Sequence, residues 1–239
     1  MISADNKIRI LSVLSIFETG DRDGNYGDVT VLKDGEHTVT KERIFQITYG
    51  RHQTTEGSFL KELLTNYVDN KGQFADDIRP FIPKIGNGAL VKNEEFLNLL
   101  RKAGKEDSVM QETQDVLFEE KYYQPAFEFF TVNGFTLPLS MLVIYDSQIH
   151  SGGKWELGIL QSLRKKFSEV PPRKGGLEKA WIKAYVRVRH EWLSNHRDPI
   201  LRKTNYRTQA FLNEIERDNW DLSQPIKTQD TTSRSMPPR

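Results

Sequence analysis

Two carboxylic acids sixteen residues apart, Glu18 and Asp34, are the side chains of this sequence best suited to acid–base chemistry. Glu18 follows Phe17 at the end of an apolar-periodic stretch, where apolar neighbours and the negative end of a helix both disfavour its charged form and so suit a proton donor. Asp34 ends a short β-branched run, and Asp34-Gly35 suggests a hairpin turn. Hydrolysis of a glycosidic bond needs two carboxyls in unlike surroundings: one protonates the leaving oxygen, and the other activates water or attacks the sugar. Residue types and spacing alone leave two plainer roles open, a solvated glutamate at a helix end and an aspartate in a tight turn.

The elements that must carry the pair can be read from hydrophobic spacing. Ile8, Leu11, Leu14 and Phe17 recur every three residues, which predicts an amphipathic helix from about residue 5 to Phe17, stopping at Thr19-Gly20. Val29 to Leu32 and Ile44 to Tyr49 have the β-branched and aromatic content of strands. Beyond Gly50 the stripes are helical: Phe59, Leu60, Leu63, Leu64 and Tyr67, then Phe96 to Leu100, then Gln111 to Phe130 with an interruption at Pro125. Leu137 to Tyr145 is almost wholly apolar, with Pro138 at a first-turn position, and reads as a buried helix ending at Tyr145-Asp146. Stripes at Trp155 to Phe167, Leu177 to Trp192 and Phe211 to Ile215 complete the pattern. The expected fold class is α+β, mainly α, with one small sheet near the start, and a polar tail from residue 227 is expected to be disordered.

Composition excludes several function classes. With 34 Lys+Arg against 33 Asp+Glu in 239 residues, no net field gathers nucleic acid or anionic lipid. No apolar run approaches the ~18 residues that span a bilayer, and the absence of cysteine removes a thiol nucleophile and thiolate zinc sites. The five histidines show no metal-ligand spacing, so neither metal nor cofactor is expected. Arg164-Lys165-Lys166 and Arg187 to His190 lack interleaved aromatics and read as solvated helix faces.

Longer motifs carry a resemblance. Ser15-Ile16-Phe17-Glu18, Tyr26-Gly27 and Asp34-Gly35 lie in order, followed by Gln114-Asp115-Val116 and Tyr122-Tyr123-Gln124-Pro125-Ala126. Next come Val143-Ile144-Tyr145-Asp146 with His150-Ser151-Gly152, then Tyr206-Arg207 and Asn219 to Ile226. The set resembles the chitosanases of glycoside hydrolase family 46. The resemblance implies a single lysozyme-like catalytic domain over 1–226, with a cleft between a sheet-bearing minor lobe, about 20–80, and a helical major lobe built from the first helix and about 110–226. It implies an endo-acting, inverting cleavage of β-1,4 bonds in chitosan, with Glu18 as general acid and Asp34 as general base. It also implies a buried supporting network of Asp146, Arg189 and Arg207.

Where the family shows Arg-Gly-Tyr-Thr after its Asp-Gly, with the threonine holding the attacking water, this chain has Glu36-His37-Thr38-Val39-Thr40 and a longer loop to Gly50. Thr38 or Thr40 is expected to serve instead. Glu56 in Gln53 to Ser58 is expected to replace a substrate-binding aspartate, and Tyr26, Tyr49, Glu36 and His150 are the other expected substrate contacts, Tyr49 as a platform for a sugar ring. The expected partner is the polysaccharide alone, bound by a secreted monomer whose leader is absent from the sequence, with no nucleic acid and no membrane. The altered loop leaves two alternatives, a lysozyme-like hydrolase of peptidoglycan or another amino-sugar polymer and an inactive glycan-binding relative.

Overall fold

The three-residue apolar spacing of the first segment does form a helix, α1 (Ala4–Thr19), which buries Ile10, Val13, Leu14 and Phe17. The computed structural model describes residues 2–20, 24–153 and 158–227. Trp155 and the tail from 228 lie outside them, as does the side chain of Thr19. After α1 come β1 (Val29–Glu36), β2 (Arg43–Tyr49) and β3 (Thr54–Thr55), then α2 (Leu60–Asp69), α3 (Ala75–Ile78), α4 (Glu94–Glu106) and α5 (Ser108–Phe118). A π-helical turn, Glu119–Tyr123, leads into α6 (Gln124–Val132) and α7 (Pro138–His150). Four helices follow: α8 (Ile159–Leu163), α9 (Glu178–Ser194), α10 (Pro199–Arg202) and α11 (Asn205–Glu216). The mainly helical α+β architecture with one small antiparallel sheet is the one expected from the sequence.

The chain divides into two compact units, residues 18–119 and residues 1–17 with 120 onward. In the first unit the strands pair in the order β1-β2-β3, all antiparallel, and Ile47 and Tyr49 of β2 join the core made by Leu60, Leu63, Leu64 and Tyr67 of α2 and Phe96, Leu97 and Leu100 of α4. Two glycines bring the chain after α1 against α4. A methyl group on Gly104 would lie 2.1 Å from the carbonyl oxygen of Tyr26, and one on Gly27 would lie 2.7 Å from that of Arg101. Both clashes are with backbone, which cannot swing aside, so the Tyr26-Gly27 pair is held by close approach that only glycine permits.

Asp34-Gly35 is not the hairpin turn. β1 continues through it to Glu36, and the chain reverses over His37–Glu42, closed by His37 N donating to Glu42 O at 2.9 Å and by Lys41 at φ 61°. The ladder slips by one residue between Leu32, opposite Gln46, and Gly35, opposite Ile44. Lys33 and Asp34 together therefore face Phe45, a β-bulge that re-aims the side chains it contains.

In the second unit α7 is buried along its whole length from Pro138 to Ile149, one full turn beyond the expected end at Tyr145-Asp146. Its continuation is carried by polar residues, Asp146, Ser147 and Gln148, which are buried because each finds a hydrogen-bond partner. Pro125 sits in the first turn of α6, where its missing N–H costs nothing, and the π-helical turn just upstream absorbs its ring.

Candidate active site

Asp34 is exposed on the bulge and oriented by Gln46, whose Nε2 donates to Asp34 Oδ1 at 3.0 Å. Gln46 is itself buried, and its Oε1 accepts from Gly57 N at 3.0 Å. Two residues along the same face of β2, Thr48 is also buried, between Thr30 on β1 and Thr55 on β3, and its Oγ1 has no hydrogen-bond partner among the described residues. A buried hydroxyl without a protein partner in the middle of a sheet needs a reason. Sequence reasoning passed over both residues, although a glutamine and a threonine in the run Ile44-Phe45-Gln46-Ile47-Thr48-Tyr49 were the polar exceptions in an apolar strand.

Glu18 is half-buried in the last turn of α1. Its charge acts on His52, whose ring stacks on Phe118 with centroids 3.4 Å apart and planes 9° apart. Burial holds His52 below the usual histidine range, against the opposing pull of Asp115, 3.6 Å from its Nε2, and of Glu18. His52 is therefore a neutral ring at neutral pH. Asp115 stays ionised. Burial alone would raise it, but bonds from His52 and Tyr26 and the charge of Arg51 outweigh that and lower it.

Tyr26, expected to contact substrate, is half-buried and has its hydroxyl in this knot: it donates to Asp115 Oδ2 at 2.8 Å and accepts from Arg51 Nη1 at 2.9 Å. Gln114 fastens the knot from α5, accepting from Arg51 N and donating to the Tyr26 carbonyl, each at 3.0 Å. Gly50 is required there, because at φ 83° a methyl group would meet Gln114 Oε1 at 2.3 Å. The Gln114-Asp115 motif thus acts on the loop after α1 and on the turn after β2.

Tyr49 corrects an expectation. It is fully buried, and its hydroxyl donates to Leu100 O at 2.8 Å, so it is a core residue of β2 and offers no face to a sugar ring. Glu56 is half-buried, its carboxylate accepting from Ile47 N at 3.2 Å and Gly86 N at 3.3 Å. Burial raises its pKa, and these backbone donors hold the rise back. It clips the chain after β3 to the Gly86 loop. Glu36 is exposed and paired with Lys41 at 3.2 Å. Thr38 and Thr40 lie in the exposed reversing turn beyond the last ladder pair; Thr38 N donates to Asn87 Oδ1, and Thr40 Oγ1 donates to Glu42 Oε2 at 3.3 Å. Neither shares a bond with Asp34 or Gln46.

In the unit formed by 1–17 and 120 onward, Asp146 is fully buried and bridges two buried guanidinium groups. Arg189 Nη1 lies 2.6 Å from Oδ2, and Arg207 donates to Oδ1 through Nε at 2.8 Å and through Nη2. Burial alone would raise the Asp146 carboxyl, but Arg207 and Arg189 hold it below the usual range. His150 belongs to this network: Nδ1 lies 2.9 Å from Arg189 Nη2 and Nε2 lies 3.3 Å from Thr204 Oγ1. A guanidinium can only donate, so Nδ1 accepts and the ring is the neutral Nε2–H tautomer. His150, expected as a substrate contact, thus has both ring nitrogens against protein groups. Arg207 also stacks over the Phe17 ring at 5.2 Å, and Tyr206 Oη donates to the Phe17 carbonyl at 2.9 Å. The Tyr206-Arg207 motif therefore grips the residue immediately before Glu18.

Comparison with known proteins bears on the family and the fold. The curated chitosanase of Bacillus subtilis (strain 168) is 26% identical over 238 residues, covering 94% of this chain and 82% of that protein. The fold matches that of a chitosanase from Gynuella sunshinyii solved in complex with chitotetraose, with a TM-score of 0.78 at 23% identity over 95% of this chain and 96% of the other. It also matches the native chitosanase of Bacillus subtilis MY002, with a TM-score of 0.77 at 22% identity and 95% coverage of each. The family model of glycosyl hydrolase family 46 matches residues 12–226, nine-tenths of the sequence, and the chain belongs to that family.

Proposed function

We propose that this protein is an endo-acting, inverting hydrolase of the β-1,4 bonds of chitosan, working as a monomer outside the cell. Glu18 protonates the leaving glycosidic oxygen and Asp34 draws the proton from the attacking water. The observation that carries the reading is the placement of Asp34. It is lifted out of the ladder by a bulge, exposed, and pinned by the buried amide of Gln46, as a base must be when it has to meet a water and a sugar at fixed geometry. Chitosanase relatives and a relative solved with chitotetraose supply the substrate class. Glucosamine units carry ammonium groups, and an exposed carboxylate such as Asp34 is attractive to them at the low ionic strength where surface charges are least screened.

The reading is tested by incubating glucosamine oligomers and chitosan with the protein at pH 5–6 and following the first products by proton NMR. Reducing ends released from internal bonds as the α anomer are expected. A β product excludes Asp34 as base to a free water, because a nucleophile would have retained the configuration. Cleavage of peptidoglycan alone assigns the lysozyme-like alternative, and binding without turnover assigns the inactive one.

Thr48 lies on the Gln46 face of β2, but its hydroxyl is buried, so within this reading the attacking water is left to the exposed hydroxyls of Thr38 and Thr40. Thr48→Val removes the buried hydroxyl at almost constant volume. Stability is expected to be kept or raised by up to about 1 kcal/mol, since an unsatisfied buried hydroxyl is lost, with turnover unchanged. Paired urea unfolding and initial-rate measurements check it; a fall in turnover at kept stability assigns the Thr48 hydroxyl to the reaction.

A further inference from the structure

We infer that Gln46 is a positioning residue for the reaction, a relay that passes the rigidity of the Gly57 backbone to the Asp34 carboxylate. The inference rests on the reading of Asp34 as the base. Its amide cannot turn over. Gly57 N–H is a donor and fixes Oε1 on its own side, at 3.0 Å, so Nε2 must face Asp34 Oδ1, also at 3.0 Å. The stem is held as firmly as the head. A methyl group on Gly35 would lie 3.1 Å from Gln46 Cβ and 3.2 Å from both Cγ and Cδ, so the glycine that follows the base leaves the space the glutamine stem fills. A methyl group on Gly57 would lie 3.1 Å from Gln46 Oε1, which gives the second glycine a reason as well. Gln46 is 8% exposed on the middle strand of the sheet, so few of its rotamers remain open.

A bulge without this relay would leave an exposed aspartate free to rotate about χ1 and χ2. With it, one carboxylate oxygen is tied and the other remains for the water. A base held this way loses little orientational freedom on reaching the transition state, and a displacement of about 1 Å can cost on the order of a hundredfold in rate. Three charged side chains near the pair are engaged elsewhere: Glu36 pairs with Lys41, Glu56 accepts from Ile47 and Gly86, and Lys33 lies over the Phe45 ring.

Two variants separate positioning from folding. Gln46→Met keeps the volume and loses both bonds. Gln46→Glu keeps the acceptor for Gly57 N–H but replaces the donor by a second carboxylate. Both are expected to lower kcat by about tenfold to a hundredfold with KM changed less than about threefold, since substrate contacts are untouched. Gln46→Glu is further expected to regain rate relative to the parent as pH is lowered, because the introduced carboxyl, once protonated, again donates to Asp34, whereas Gln46→Met does not recover. A purely structural glutamine would lower melting temperature and rate together, with no acid rescue. Full kcat in both variants, in a protein that Asp34→Asn inactivates, overturns the relay and leaves the base assignment standing; full kcat in Asp34→Asn overturns the assignment itself. Independently of turnover, the Gln46 side-chain amide protons are expected to exchange slowly with solvent in the parent and faster in Asp34→Ala, and equal exchange in the two proteins also overturns the relay.

Discussion

Glu18→Gln is expected to cut chitosan turnover by about 10²–10⁴-fold, and Asp34→Asn by a similar factor, the usual contribution of a general acid or base. Each loss corresponds to about 3–5 kcal/mol of transition-state stabilisation. The double variant should lose less than the product of the two, because acid and base act in one step and the absence of either already disables it. Neither change should unfold the protein. Asp34 is exposed and makes its contact through Oδ1, which asparagine retains as an acceptor for Gln46. Glu18 is half-buried at a helix end, where removing a negative charge relieves an unfavourable interaction with the helix dipole. Initial rates on glucosamine oligomers, set beside melting curves and an exposed control such as Glu112→Gln on α5, give the measurement. Parent-level turnover in Glu18→Gln removes it from the role of acid, and Asp34→Asn judges the base in the same way.

How much of this was legible in the sequence depended on whether a feature was local. The amphipathic period of α1 and the apolar run of α7 announce themselves, because burying a helix face or a whole helix writes its pattern directly into residue type. The end of α7 did not, since Asp146, Ser147 and Gln148 look like a terminus until their partners arrive from residues as distant as Arg189 and Arg207. The same holds for Asp34-Gly35. The dipeptide has turn chemistry, but whether it makes a turn or a bulge is decided by β2, which goes on pairing with Gly35 and Glu36 through Ile44 and Arg43. Tyr49 was misread for a related reason. An alternating strand would have exposed one face, but from Gln46 to Tyr49 every residue of β2 is buried, because it is the middle strand and lies against the helical core. Sequence spacing singled out the two carboxyls as candidates; it passed over Gln46, whose bond to Asp34 depends on the pairing of β1 with β2.

Asp146→Asn is the substitution expected to cost most in stability, about 3–5 kcal/mol, because it leaves two buried guanidinium groups facing a neutral amide of the same shape. Arg189 and Arg207 are 0% and 2% exposed, so water cannot take over the lost charge without opening the packing around α7, α9 and α11. The loss should be large against the 5–15 kcal/mol that usually separates folded from unfolded chains. Its pH dependence has a definite sign. The Asp146 carboxyl in the folded protein lies below its unfolded value, burial opposing the shift and Arg207 and Arg189 prevailing. Its contribution is therefore complete above the ordinary aspartate pKa of about 3.9 and drains away as pH falls through the lower folded value. Asparagine has no such dependence, so the gap between parent and variant should be widest at neutral pH and narrow below about pH 4. Urea unfolding at pH 7, 5 and 3 measures that gap. A variant as stable as the parent at pH 7, or a gap that widens towards acid, would show that the guanidinium pair is satisfied by something other than Asp146. Activity should weaken alongside stability, for Arg207 also packs over Phe17, and Phe17 is the last residue before Glu18.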